Sequence, residues 1–102
     1  MLVESNISDD QSMLTIAIKG NFDFNLHKEF RDAYASLQPP VKECIIDMAG
    51  AEYMDSSALG MLLILKDHAA SVGADVRLKN CRPDIRGILA VANFDEMFTV
   101  EE

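Results

Sequence analysis

The chain is predicted to fold as an α/β domain, an antiparallel N-terminal hairpin leading into a mostly parallel mixed sheet packed by about three to four helices. Three observations carry this prediction. The apolar residues repeat with a period of two in some segments and at helical spacing in others. After the first two strand-like segments, the two periods alternate along the chain. Glycine, proline and Asx-rich stretches fall where the period changes.

Taken in order, "LVESNIS" has the character of a short strand and "SDDQS" that of a turn. "MLTIAIKG" sets Leu14, Ile16 and Ile18 on one face against Thr15, Ala17 and Lys19 on the other, a half-buried strand that completes a hairpin. In "NFDFNLHKEFRDAYASL" the residues Leu26, Phe30, Ala33, Tyr34 and Leu37 take helical spacing, with Asp23 or Asn25 placed to cap. "QPP" stops that helix. "ECIIDM" reads as a buried strand and "AGAEYMD" as a loop. A second helix opens at Ser56 or Ser57 and runs to about Val72, where Gly73 ends it. "ADVRLKN" is another strand, and "RPDIRGILAVANF" a third helix with Pro83 in its first turn. "EMFTV" is a final strand or a docking segment.

The composition narrows the function. At 102 residues, 49% apolar and 25% charged, the chain has the balance of one globular domain spanning 1–102. Nine basic against 17 acidic residues leave a net charge of −8, which disfavours direct binding to nucleic acid or anionic membrane. The N-terminal sequence lacks the features of a signal peptide and the longest apolar run, Met61 to Leu65, cannot cross a bilayer, so a cytoplasmic protein without membrane insertion is expected. Cys44 and Cys81 lie in or beside apolar segments without CxxC spacing, the pattern of buried, inert thiols.

The stretch "MDSSALG", Met54 to Gly60, concentrates the remaining information. An acid or serine before a helix satisfies an orphan backbone N–H, worth about 1 kcal/mol, and Asp55 also complements the helix dipole. A single cap is enough, yet Asp55, Ser56 and Ser57 offer three side chains, so at least one hydroxyl is left over. The helix behind them is apolar on more than one face. Leu59, Leu62 and Leu63 can point at the sheet together, which leaves Ala58, Met61 and Leu65 as a second stripe leaning away from it. Either another helix covers that stripe, or it is exposed beside a free serine and binds a partner. A phosphate there would add about −1.5 to −2 charge next to Asp55 and hydrate an interface that must be dry.

The order "IAIKGNFD", helix, "ECIIDMAGAEYMDSSALGMLLIL", "VGADVRLKNCRPDIRGILAVANFDEMF" resembles a STAS domain of the anti-sigma factor antagonist group, from about Leu14 to Phe98. The motif is a strand ending in Asp47, a short loop, and Asp-Ser-Ser-x-Leu-Gly opening a helix; Gly20-x-x-Asp23 is a second match. The resemblance implies a small STAS-like domain whose unphosphorylated form binds an anti-sigma factor, often itself a serine kinase, and so releases the sigma factor. Phosphorylation of Ser56 would abolish binding, and a serine phosphatase would restore it. Asp23 and Asp55 fall on family positions near the partner surface, with Asp55 also at the kinase recognition site. The partner-binding set is then Asp23, Asp55, Ser56, Ser57, Ala58, Met61 and Leu65. Where the family usually has glycine this chain has Ala58, a change that a helical site tolerates. The alternative function is a STAS interaction module in another sensory or transport-regulating assembly.

Other classes fit less well. A receiver domain would need Asp9 and Asp10 at the end of a buried first strand, but they occupy the hairpin turn. An enzyme would need a base for the serines. His68 lies twelve residues beyond Ser56 on one helix, about 18 Å away along the axis, and no G-x-S-x-G elbow surrounds the serines. No His/Cys/Asp cluster has metal-ligand spacing, so neither catalysis nor a cofactor is expected. Arg77, Lys79, Arg82 and Arg86 form a local basic patch, read as a solvated face that offsets nearby acids, or else as a contact for an acidic rim on a protein partner.

Overall fold

Five strands line up in chain order in the computed structural model, which describes residues 2–35 and 37–102. β1 (Val3–Ile7) pairs antiparallel with β2 (Met13–Phe22), and β2, β3 (Glu43–Met54), β4 (Asp75–Lys79) and β5 (Thr99–Val100) run parallel. Between them lie a 3-10 turn at Phe24–Leu26, α1 (His27–Tyr34), α2 (Ser56–Ser71), α3 (Pro83–Val91) and the single-turn α4 (Phe94–Met97). This is the predicted α/β class with its antiparallel start. The first helix ends at Tyr34, before the expected Leu37; Ser36 of that expected helix lies outside the described residues.

The topology decides which side of the sheet is covered. Each parallel connection steps to the next strand in the same direction, and right-handed crossovers then put every helix on one face. The burial follows this rule. Leu14, Ile16 and Ile18 of β2, Cys44, Ile46 and Met48 of β3, and Val76 and Leu78 of β4 share one core with Phe30 and Tyr34 of α1, Leu62 and Leu65 of α2, Ile85 and Leu89 of α3, and Phe94 of α4. The opposite face presents Thr15, Ala17, Asp47, Arg77 and Lys79, half-buried among their neighbours, and among the described residues it carries no helix. Arg77 there is held by Glu43 at 2.9 Å and Glu101 at 2.8 Å.

β3 corrects the expectation of a loop at "AGAEYMD". The strand continues to Met54 alongside the tail of β2, and two register shifts insert extra residues into it. Its inward residues therefore step from Met48 to Ala51 to Met54, a spacing of three that hides the alternation. In "EMFTV", Glu96 and Met97 close α4, Phe98 is its extended C-cap, and the last strand is only Thr99–Val100.

Candidate functional site

The extended β3 brings the predicted residues together. Phe22, the last residue of β2, pairs with Met54, the last of β3, so Asp23 and Asp55 leave the C-terminal ends of adjacent parallel strands. The Asp55 N–H donates to the Phe22 carbonyl at 3.4 Å and ties the two exits to each other. Open α/β sheets bind their ligands at this edge.

Both acids act as N-caps. Asp23 accepts from the Asn25 N–H at 2.9 Å and starts the 3-10 turn. Asp55 Oδ1 accepts from the Ala58 N–H at 3.1 Å and starts α2 at Ser56. Of the three side chains that the sequence offered, the cap is therefore Asp55. Among the described residues neither the Ser56 nor the Ser57 hydroxyl enters a side-chain hydrogen bond, so both are left over. Ser56 is exposed and Ser57 half-buried.

The apolar stripe is the main correction. Ala58, Met61 and Leu65 are 0%, 5% and 0% exposed and belong to the core, together with Leu62 and Ala69. They cannot touch a partner directly. Leu59 is half-buried, while Leu63 at 39% and Ile64 at 59% face outward. The methyl of Ala58, at the position where the resemblance expects glycine, points into the core from an ordinary helical turn.

The exposed apolar surface near Ser56 comes from other elements, which the sequence reading missed. A groove of about 770 Å³ opens between the N-terminal half of α2 and α3. Tyr53, Leu59, Ile88 and Val91 supply apolar walls, and Asp55, Ser56 and Asp84 lie along it. Tyr53 is 53% and Val91 88% exposed. The separation of Tyr53 and Val91 in the chain explains why no local pattern announced the groove.

The residues of the competing readings have contacts of their own. His68 faces the Tyr34 ring with centroids 5.6 Å apart, and His27 stacks on Phe24 at 4.8 Å. Asp47 joins β3 to the end of β4, accepting from the Ala49 N–H at 3.0 Å and the Asn80 amide at 2.9 Å. Asp9 and Asp10 occupy the hairpin turn. Two of the four residues of the basic patch are paired with acids, Arg77 as above and Arg86 with Glu102 at 3.0 Å. Burial pushes the Cys44 thiol up to about 12 and the Cys81 thiol up to about 11, so both stay protonated and unreactive at neutral pH. Among the described residues no group of His, Cys, Asp and Glu has the arrangement of a metal site, and no helix is long and apolar enough to cross a membrane.

Residues 5–100 match the family model described as "Mlab, STAS domain". The chain belongs to the STAS family. This STAS chain is 45% identical over 100 residues to a "STAS-domain containing protein" of Pseudomonas aeruginosa strain UCBPP-PA14, covering 98% of this chain and 99% of the relative. Its fold is similar to that of TM1081 from Thermotoga maritima, with a TM-score of 0.83 at 15% identity over 98% of this chain and 86% of the other. It is also similar to the anti-sigma factor antagonist SpoIIAA of Bacillus in its unphosphorylated form, with a TM-score of 0.73 at 18% identity over 98% and 86%. SpoIIAA in its phosphorylated form matches at the same TM-score, 0.73, over 96% of this chain and 89% of the other.

Proposed function

We propose that this STAS domain is an anti-sigma factor antagonist whose binding is switched by phosphorylation of Ser56. Unphosphorylated, the protein binds an anti-sigma factor, one that is itself a serine kinase or works with one, and the sigma factor is released. Phosphorylation of Ser56 ends the interaction, and a serine phosphatase resets it. The protein performs no catalysis of its own and acts in the cytoplasm.

One observation carries the reading: Ser56 is an exposed, unbonded hydroxyl at the first position of α2, on the wall of an apolar groove, because Asp55 has already taken the cap. A phosphate on that oxygen meets the positive end of the helix dipole, which favours it by about 0.3–1 kcal/mol, so the fold has no reason to break. The effect falls on the groove. A dianion with its hydration shell would have to be desolvated for a partner to seat against Leu59 and Tyr53, and that penalty is several kcal/mol per ion. The similarity of the fold to both the unphosphorylated and the phosphorylated SpoIIAA supports a switch that acts at the surface. Asp23, Asp55, Ser56 and Ser57 form the polar part of the contact, while Ala58, Met61 and Leu65 hold α2 in place from beneath.

The test is a pull-down from host lysate with Ser56→Ala and Ser56→Glu as parallel baits, read by mass spectrometry. The proposal expects an anti-sigma or kinase-like protein on the alanine bait that is lost from the glutamate bait. The same proteins on both baits would overturn it.

A further inference from the structure

We propose that the groove between α2 and α3 receives an amphipathic helix of the protein partner, one that carries an apolar stripe flanked by lysine or arginine. The proposal rests on the partner-binding role given to this edge and names the chemistry that the edge recognises.

The shape of the groove suits a helix. α3 lines it with Asp84, Ile88 and Val91, spaced i, i+4 and i+7 along one face, about 10 Å of helix. Tyr53 and Leu59 form the facing wall. An open groove about two turns long, lined by α3, by Leu59 of α2 and by Tyr53 of β3, fits the i, i+3/i+4, i+7 anchors of a docked helix. Most of the lining is apolar, and its two most exposed apolar side chains, Tyr53 and Val91, are open to contact by a partner.

Charge selects the occupant. Asp55 and Asp84 both line the groove, none of its described lining residues is cationic, and neither carboxylate forms an ion pair among the described residues. The uncovered face of the sheet is different, because its arginine already lies between Glu43 and Glu101. On a protein of net charge −8, two carboxylates that bond backbone N–H groups but meet no cationic side chain, beside an apolar lining, favour a cation next to an apolar anchor. An acidic helix would be repelled there.

The test is selection of helix-forming peptides from a randomised display library against the full chain, followed by binding of the enriched peptides to Tyr53→Glu, Val91→Glu and Asp84→Lys. Tyr53 and Val91 are exposed, so the first two changes leave the core alone. The expected peptides carry an apolar stripe with lysine or arginine beside it. They lose at least ten-fold in affinity on each of Tyr53→Glu and Val91→Glu, and Asp84→Lys reduces the preference for basic peptides. Enriched peptides that are acidic or proline-rich, unchanged binding to both wall variants, or no enrichment at all would overturn the proposal. Failure here is distinguishable from failure of the switch. If Ser56→Ala and Ser56→Glu still separate the partner while the wall variants bind it normally, only the groove assignment falls. If wall variants abolish binding that Ser56 substitutions leave untouched, only the switch falls.

Discussion

Leu65→Ala separates a core role from an interface role for the stripe on α2. Leu65 is fully buried and belongs to the hydrophobic core. The substitution removes three carbons, a transfer loss of about 2.4 kcal/mol at about 0.8 per methylene. The cavity left behind raises the total to about 3–4 kcal/mol, inside the range of about 2–5 for buried leucines. For a chain of 102 residues the unfolding entropy is about 0.2 kcal/mol/K, so the melting temperature should fall by about 15–20 °C. Thermal and urea unfolding followed by circular dichroism measure this, with Ile64→Ala as the comparator. Ile64 is 59% exposed one residue earlier on the same helix, and its truncation should cost less than about 1 kcal/mol. The reasoning is refuted if Leu65→Ala melts within about 3 °C of the parent, or if Ile64→Ala is the more damaging change.

Further expectations concern the cap and the hairpin. Asp55→Ala should destabilise by about 1 kcal/mol, about 5 °C in melting temperature, while Ser57→Ala should stay within about 0.5 kcal/mol, because Asp55 and not Ser57 holds the Ala58 N–H. The reverse order in thermal melts would contradict the cap assignment. The Asp10 carboxyl is held down from 3.8 to about 2, chiefly by the Ser12 hydroxyl, then by the Ser12 N–H and the Ser8 hydroxyl. A depressed folded-state value means its stabilising effect is present above the unfolded value near 3.8 and is lost as pH falls through about 2. An NMR titration should place its midpoint near 2, and Ser12→Ala should move that midpoint back toward 3.8; an unshifted midpoint in the parent would exclude the network.

Most of the fold was legible because its signals are local. Leu14, Ile16 and Ile18 alternate cleanly, Gly73 stops α2 in a left-handed conformation, and Pro83 opens α3. The far half of β3 was not legible, since two bulges break its period of two and its pairing partner, Gly20 to Phe22, lies some thirty residues earlier. The rotation of α2 was also hidden. Leu59 and the run from Met61 to Leu65 are all apolar, so the pattern cannot say which of them face the core; only the packing of α1 and the sheet against this helix selects Ala58, Met61, Leu62 and Leu65. The acids and serines of the site were visible as a capping cluster, and the surplus of hydroxyls followed from counting caps. The groove was not, because its walls come from β3, α2 and α3 and meet only in the folded chain.

The Ser56 switch stands or falls on the affinity of the partner captured on the Ser56→Ala bait for two forms of the protein. Unmodified chain and chain phosphorylated stoichiometrically at Ser56 should be titrated side by side, with circular dichroism on each. A surface switch requires at least a hundred-fold weaker binding to the phosphorylated form, with the spectrum and the melting temperature essentially unchanged. Equal affinity for both forms, or control by Ser57 instead, would contradict it.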